Sequence, residues 1–167
     1  MTKYEQIEDK DDFITDNLTG FYAVSFDPKG KLGWKSNKII DEDPGYGDAQ
    51  IIEVLTEQVD GHYLAYLQSM EIPYIFAGET EIDVKIALEK LKSLVDINYI
   101  LLEGGSIVNG FFQRAGVIDE LSLVVTPIIA DVDDKPLFMN SIVSDYELEE
   151  IKQYGNGVVW MRYKKKT

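Results

Sequence analysis

Short apolar runs rich in aromatic and branched residues alternate, as far as Ile129, with stretches whose apolar residues recur at helical spacing. This alternation constrains the fold more than any other feature, because it implies βαβ units and a mostly parallel sheet flanked by helices. Phe21-Tyr22-Ala23-Val24-Ser25-Phe26 reads as a buried strand stopped by the turn Asp27-Pro28-Lys29-Gly30. A loop over 41–48 leads to a second strand over 50–56. From Asp60, a good N-cap, Tyr63, Leu64, Leu67 and Met70 fall on one helical face. A third strand is expected over 73–78, a helix over 83–94 and a fourth strand over 99–102. A short helix over 107–114 is ended by Gly116. A long strand over 121–129 follows, interrupted at Pro127. The tail changes character: 146–154 and 158–163, separated by Gly155-Asn156-Gly157, read as an antiparallel hairpin. The chain is thus expected to be one α/β domain over 21–167, preceded by a polar segment over 1–20.

Charge and residue types narrow the chemistry. Among 167 residues, 16 Lys and Arg stand against 30 Asp and Glu, a net charge of −14. That balance disfavours nucleic acid, whose binders need a basic face to neutralise phosphates. The absence of cysteine rules out disulfides, zinc knuckles, thiolate nucleophiles and iron–sulfur clusters. His62 is the only histidine, so no multi-histidine metal centre is expected. Asp131-Val132-Asp133-Asp134 lacks the glycine and closing Glu of a calcium loop, and reads as a charged turn. The start is polar and acidic rather than a secretion signal, and no run approaches the roughly 20 apolar residues of a membrane span. The chain reads as a cytoplasmic domain with no membrane partner.

One segment carries the chemistry: Leu101-Leu102-Glu103-Gly104-Gly105-Ser106-Ile107-Val108-Asn109-Gly110. Here a strand delivers an acid, then two glycines, then a helix start. In an open α/β sheet, ligands bind outside the carboxyl ends of the strands. Glycines there admit a close phosphate, and the helix N-terminus favours an anion. A tight strand-to-helix turn explains the glycine pair equally well. Lys29, Lys31, Lys35 and Lys38 form a basic island in an acidic chain, a candidate phosphate clamp that also reads as an ordinary solvated loop. Thr56 ends a strand and offers a hydroxyl to the same crevice. Trp34 and Trp160 are assigned to core or interface, with Trp34 placed beside the lysines.

Taken together, Tyr74-Ile75-Phe76-Ala77-Gly78, Ala87-Leu88-Glu89-Lys90-Leu91, Leu102-Glu103-Gly104-Gly105-Ser106, Asn109-Gly110 and Ala115-Gly116-Val117-Ile118-Asp119-Glu120-Leu121 with Pro127 follow one pattern. They resemble the reductase domain of riboflavin biosynthesis, the C-terminal domain of the bifunctional deaminase–reductase, in the dihydrofolate-reductase-like superfamily. Phe26-Asp27-Pro28-Lys29-Gly30-Lys31-Leu32-Gly33-Trp34 is similar to a strand and turn of stand-alone relatives. The resemblance implies a homodimeric reductase that moves hydride from NADPH to the ribosyl carbonyl of a phosphoribosyl-type pyrimidine substrate. It implies that Glu103 contacts substrate, and that Gly105, Ser106, Ile107, Val108, Asn109, Gly110 and Phe111, following Gly104, line the cofactor phosphates. Lys29, Lys31 and Thr56 complete the expected cofactor set. Members of the family also carry, earlier in the chain, a Ser-Leu-Asp-Gly-type and a Gly-Arg-x-Thr-type motif, and neither is found here. The expected fold is therefore an N-terminally truncated form. An inactive scaffold serving binding or assembly, or a reductase of another pteridine-like or carbonyl substrate, stands as the alternative.

Overall fold

Tyr22–Phe26 (β1), Gln50–Leu55 (β2) and Tyr74–Phe76 (β3) form a parallel sheet in the order β1-β2-β3. Their registers run from Tyr22 opposite Gln50 to Phe26 opposite Val54, and from Glu53 opposite Tyr74 to Leu55 opposite Phe76. The structure is a computed structural model that describes residues 4–40, 45, 47–131 and 133–166. It has two compact units, Met1–Ile100 and Leu101–Thr167.

In the first unit β2 is buried at every residue, as a central parallel strand must be when both sheet faces are covered. Alternation along β2 divides the core. Ile51 and Leu55 pack with Tyr63, Leu64 and Leu67 of helix α1 (Gly61–Ser69). Ile52 and Val54 pack on the other face with Ala87, Leu91 and Val95 of helix α2 (Val84–Val95). Asp60 caps α1 through His62 N–H, and Asp83 caps α2 through Lys85 and Ile86 N–H. The stretch before β1, polar on average, is not idle. Ile7 and Phe13 pack on the α1 side, and Ile14 and Leu18 on the α2 side. Phe13 forms an antiparallel bridge with Tyr74 that occupies the outer edge of β3.

In the second unit, helix α3 (Ser106–Ala115) leads into an antiparallel sheet made of Glu120–Val125 (β4), Tyr146–Gln153 (β5) and Val159–Lys165 (β6), in the order β4-β6-β5. The hairpin expected at the tail is β5 and β6, joined by a short 3₁₀ turn with Asn156 at φ 63°. Gly116 ends α3 in the left-handed conformation.

Two expectations are corrected. No strand forms over 99–102: the backbone there has no ladder partner among the described residues, and Tyr99 and Leu101 are 94% and 86% exposed. Aromatic and branched residues favour a strand only where a neighbouring strand supplies hydrogen bonds and a surface to pack on. β4 also ends at Val125 rather than running to 129. Pro127 has no N–H to donate, and Ile128 and Ile129 beyond it are exposed. The loop expected over 41–48 falls largely outside the described residues.

Candidate functional site

Residues 101–105 approach α3 without regular secondary structure, with Glu103 exposed on the way in. Gly104 has φ 112°, a region that strains any residue bearing a Cβ, and the Gly104–Gly105 peptide is cis. Gly105 is the N-cap of α3 and brings no capping side chain, so the first-turn amides of Ser106, Ile107 and Val108 have no intrahelical partner and no side-chain cap. A Cβ built on Gly105 meets nothing within 4 Å. Open space therefore lies against an uncapped helix N-terminus, which suits an anionic group.

The opposite side of α3 is fastened by polar bonds. Asn109 is buried, its amide Nδ2 donates to Leu137 O at 3.0 Å, and its Oδ1 has no hydrogen-bond partner among the described residues. A Cβ on Gly110 would come within 1.9 Å of Met139 O, so only glycine lets the 137–144 segment lie this close. Met139 N–H donates to Ser106 O at 2.8 Å. Gln113 donates to Ile142 O and Ser144 Oγ and accepts from Ile142 N–H, while Arg114 donates to the Met139 and Asn140 carbonyls. Ile107 and Phe111 remain 59% and 49% exposed on the free side, and the Arg114 guanidinium stacks 4.8 Å from the Phe111 ring centre. Glu103, Gly104, Gly105 and 106–111 thus form one continuous stretch of the second unit, the irregular turn and the start of α3.

The other expected residues lie together in the first unit. Lys29 and Lys31 are exposed on the turn that follows β1. Asp27, buried at its base, accepts from the N–H groups of Lys31 and Leu32. Gly30 at φ 62° is pressed so close to Tyr63 that a Cβ would stand 2.5 Å from the ring. The Thr56 hydroxyl is buried and donates to Pro28 O, so here it fastens the lysine turn to the end of β2. Trp34 is half-buried; Tyr66 OH donates to its carbonyl, and its own indole N–H donates to Glu53.

Glu53 is a residue that sequence reasoning does not single out. It is fully buried in β2, accepts from Trp34 Nε1 and, at 3.4 Å, from Tyr63 OH, and its Oε2 has no partner among the described residues. Burial, reinforced by the nearby Asp27 charge, pushes its pKa up to about 7 despite the two donors. The available signal is one acid inside Gln50-Ile51-Ile52-Glu53-Val54-Leu55, a strand otherwise apolar apart from its first residue.

Elsewhere, His62 pairs with Asp60 at 2.8 Å as a helix-start histidine. Trp160 donates to Ser122 Oγ and lies under Lys152. No cluster of His, Cys, Asp and Glu suited to a metal ion occurs among the described residues. No described helix is long and apolar enough to cross a membrane.

The family model for the RibD C-terminal domain matches residues 46–160. The chain belongs to that family, a riboflavin-pathway reductase family with the dihydrofolate-reductase-like fold. No curated protein sequence matches significantly. Among solved structures, a pyrimidine reductase-like protein from Corynebacterium diphtheriae aligns with TM-score 0.70 at 21% identity, over 87% of this chain and 61% of its own. RibD from Acinetobacter baumannii aligns in two forms with TM-scores 0.65 and 0.64 at 19% and 18% identity, over 86% of this chain and 37% of its own in each. At these identities the likeness is one of fold, and the chain spans less than two thirds of each relative's length.

Proposed function

We propose that this chain binds NADPH at the Glu103–Phe111 element and works as a reductase of the riboflavin-biosynthesis type, reducing the ribosyl carbonyl of a phosphoribosylamino-pyrimidine to a ribityl chain. Membership of the RibD C-terminal domain family supports the reaction class. The single observation that carries the cofactor is the uncapped, glycine-led start of α3 with open space in front of Gly105. NADPH, when bound, supplies the hydride; the protein's part is binding, orientation and electrostatics. The amides of Ser106, Ile107 and Val108 receive the diphosphate, and the Asn109–Leu137 and Gly110–Met139 contacts hold that helix start rigid. The Glu103 carboxylate, exposed at the entrance to the turn, accepts hydrogen bonds from substrate N–H or hydroxyl groups. Lys29 and Lys31 are assigned to the cofactor's 2′-phosphate, which distinguishes NADPH from NADH. A cytoplasmic homodimer belongs to the same reading, and light scattering showing only monomer removes the dimer from it.

The alternative reading is a binding or assembly module without turnover. Calorimetry with NADPH tests binding, and NADPH oxidation with the pyrimidine substrate separates the two readings. Binding with oxidation supports the enzyme; binding without it supports the module.

A further inference from the structure

Residues 27–34 are bound down at several points, and Glu53 holds the last of them. The Thr56 hydroxyl holds Pro28, the Tyr63 hydroxyl donates to Leu32 O at 2.9 Å, and Glu53 takes the Trp34 indole N–H. Lys31, Leu32 and Gly33, the residues that lead into Trp34, are exposed, so the turn fastened to Glu53 is a surface turn.

Among the described residues, the groups facing Glu53 give no positive charge to balance it. From the turn comes Trp34, from α1 come Tyr63 and Tyr66, and from the end of β1 comes Asp27. Burial and the neighbouring carboxylates keep Tyr63 neutral, as a donor. Among the described residues no Lys or Arg pairs with Glu53. A carboxyl with one oxygen lacking any partner and no counter-ion is tolerated when protonated and costly when ionised. An ionised group gains most by letting water reach it, and the cover over it is a surface turn.

We propose that Glu53 is a positioning residue for the lysine turn: protonated, it keeps residues 27–34 shut against β2, and on ionising it lets that turn lift and admit water. The direction follows from linkage, since the closed turn binds the proton more tightly than the open one, so rising pH favours opening. The shift toward about 7 puts the change in the neutral range. The latch stands on the geometry of the first unit alone. Its consequence, that Lys29 and Lys31 are presented in fixed positions below neutral pH and loosely above it, rests on the reading of those lysines given above.

The test uses Trp34 as its reporter, in a Trp160→Phe chain so that it is the only tryptophan. Acrylamide quenching is expected to rise about twofold or more across a midpoint near neutral pH, as a local opening coupled to one proton requires. Glu53→Gln in the same background is expected to stay at the low-pH level throughout. Flat quenching in the parent, or the same midpoint surviving in Glu53→Gln, overturns the proposal. Should Glu53→Gln fail to fold, the indole ¹⁵N–¹H resonance of Trp34 in the parent decides alone. A neutral-range titration supports the latch, and its absence overturns it. Cofactor binding enters neither measurement, so failure of the latch and failure of the reductase reading are separate results.

Discussion

Phe13 and Tyr74 exchange two backbone hydrogen bonds of 2.9 Å, closing the outer edge of the parallel sheet with a residue from the polar start of the chain. Asp12 beside it accepts from Phe76 N–H at 2.7 Å and pairs with Lys90 at 2.8 Å. An unguarded edge of paired strands is a template for association, so this short arm protects the fold as well as stabilising it. Phe13→Ala removes a half-buried ring that stacks on Tyr74 and is expected to cost about 2 kcal/mol. Phe13→Pro also deletes the N–H that Tyr74 O accepts, and should cost more and raise aggregation. Urea unfolding followed by static light scattering reads both effects.

Glu53 makes the stability of the first unit depend on pH. Its folded pKa is raised from 4.5 to about 7, so its contribution is fully present below 4.5 and is lost as pH rises through 7. With each tenfold difference in proton affinity between folded and unfolded chain equivalent to about 1.4 kcal/mol, the loss amounts to about 3 kcal/mol. The difference in unfolding free energy between parent and Glu53→Gln should therefore change with pH in that window and be level above it. Denaturant titrations between pH 4.5 and 8.5, read by Trp34 in the Trp160→Phe background, isolate this group from the exposed carboxylates.

The two glycines of the turn should behave oppositely. At Gly105 a Cβ enters open space at φ −68°, so Gly105→Ala is expected to leave thermal stability within about 0.5 kcal/mol of the parent. It should weaken NADPH several-fold, because the methyl group stands where the phosphate approaches. Gly104→Ala, at φ 112°, is expected to destabilise by about 1 kcal/mol or more, the cost of a strained non-glycine backbone. Gly105→Asp, which sets a negative charge against the diphosphate, should abolish binding while the fold persists. Differential scanning calorimetry paired with cofactor titration distinguishes loss of fold from loss of site.

Lys29 and Lys31 are exposed and their removal should not disturb the core. Replacing both with Gln is expected to weaken NADPH about tenfold, with little change for NADH. Equal loss for both cofactors contradicts a 2′-phosphate role and leaves the lysines as solvated surface.

Much of this architecture is legible from residue order alone. The cap Asp60, the stop at Gly116 and the C-terminal hairpin are local signals, and local chemistry decides them. What escapes depends on partners distant in sequence. Tyr99-Ile100-Leu101-Leu102 has strand composition but no ladder partner among the described residues, and propensity cannot report a neighbour's presence. Phe13 lies in a stretch of weak periodicity and is ordered by Tyr74, 61 residues on. The glycine turn is readable because its amides, dipole and lack of side chains are properties of the segment itself. Glu53 escapes although an acid inside a buried strand is a conspicuous anomaly, since its partners Trp34 and Tyr63 meet it only through the fold.

The central claim is that the start of α3 receives a dinucleotide's diphosphate. Isothermal titration calorimetry of the intact chain with NADPH, repeated with Gly105→Asp, addresses it most directly. Saturable one-to-one binding by the parent that vanishes in the variant, with its melting temperature preserved, is the predicted result. No heat from the parent, or undiminished binding by the variant, contradicts it.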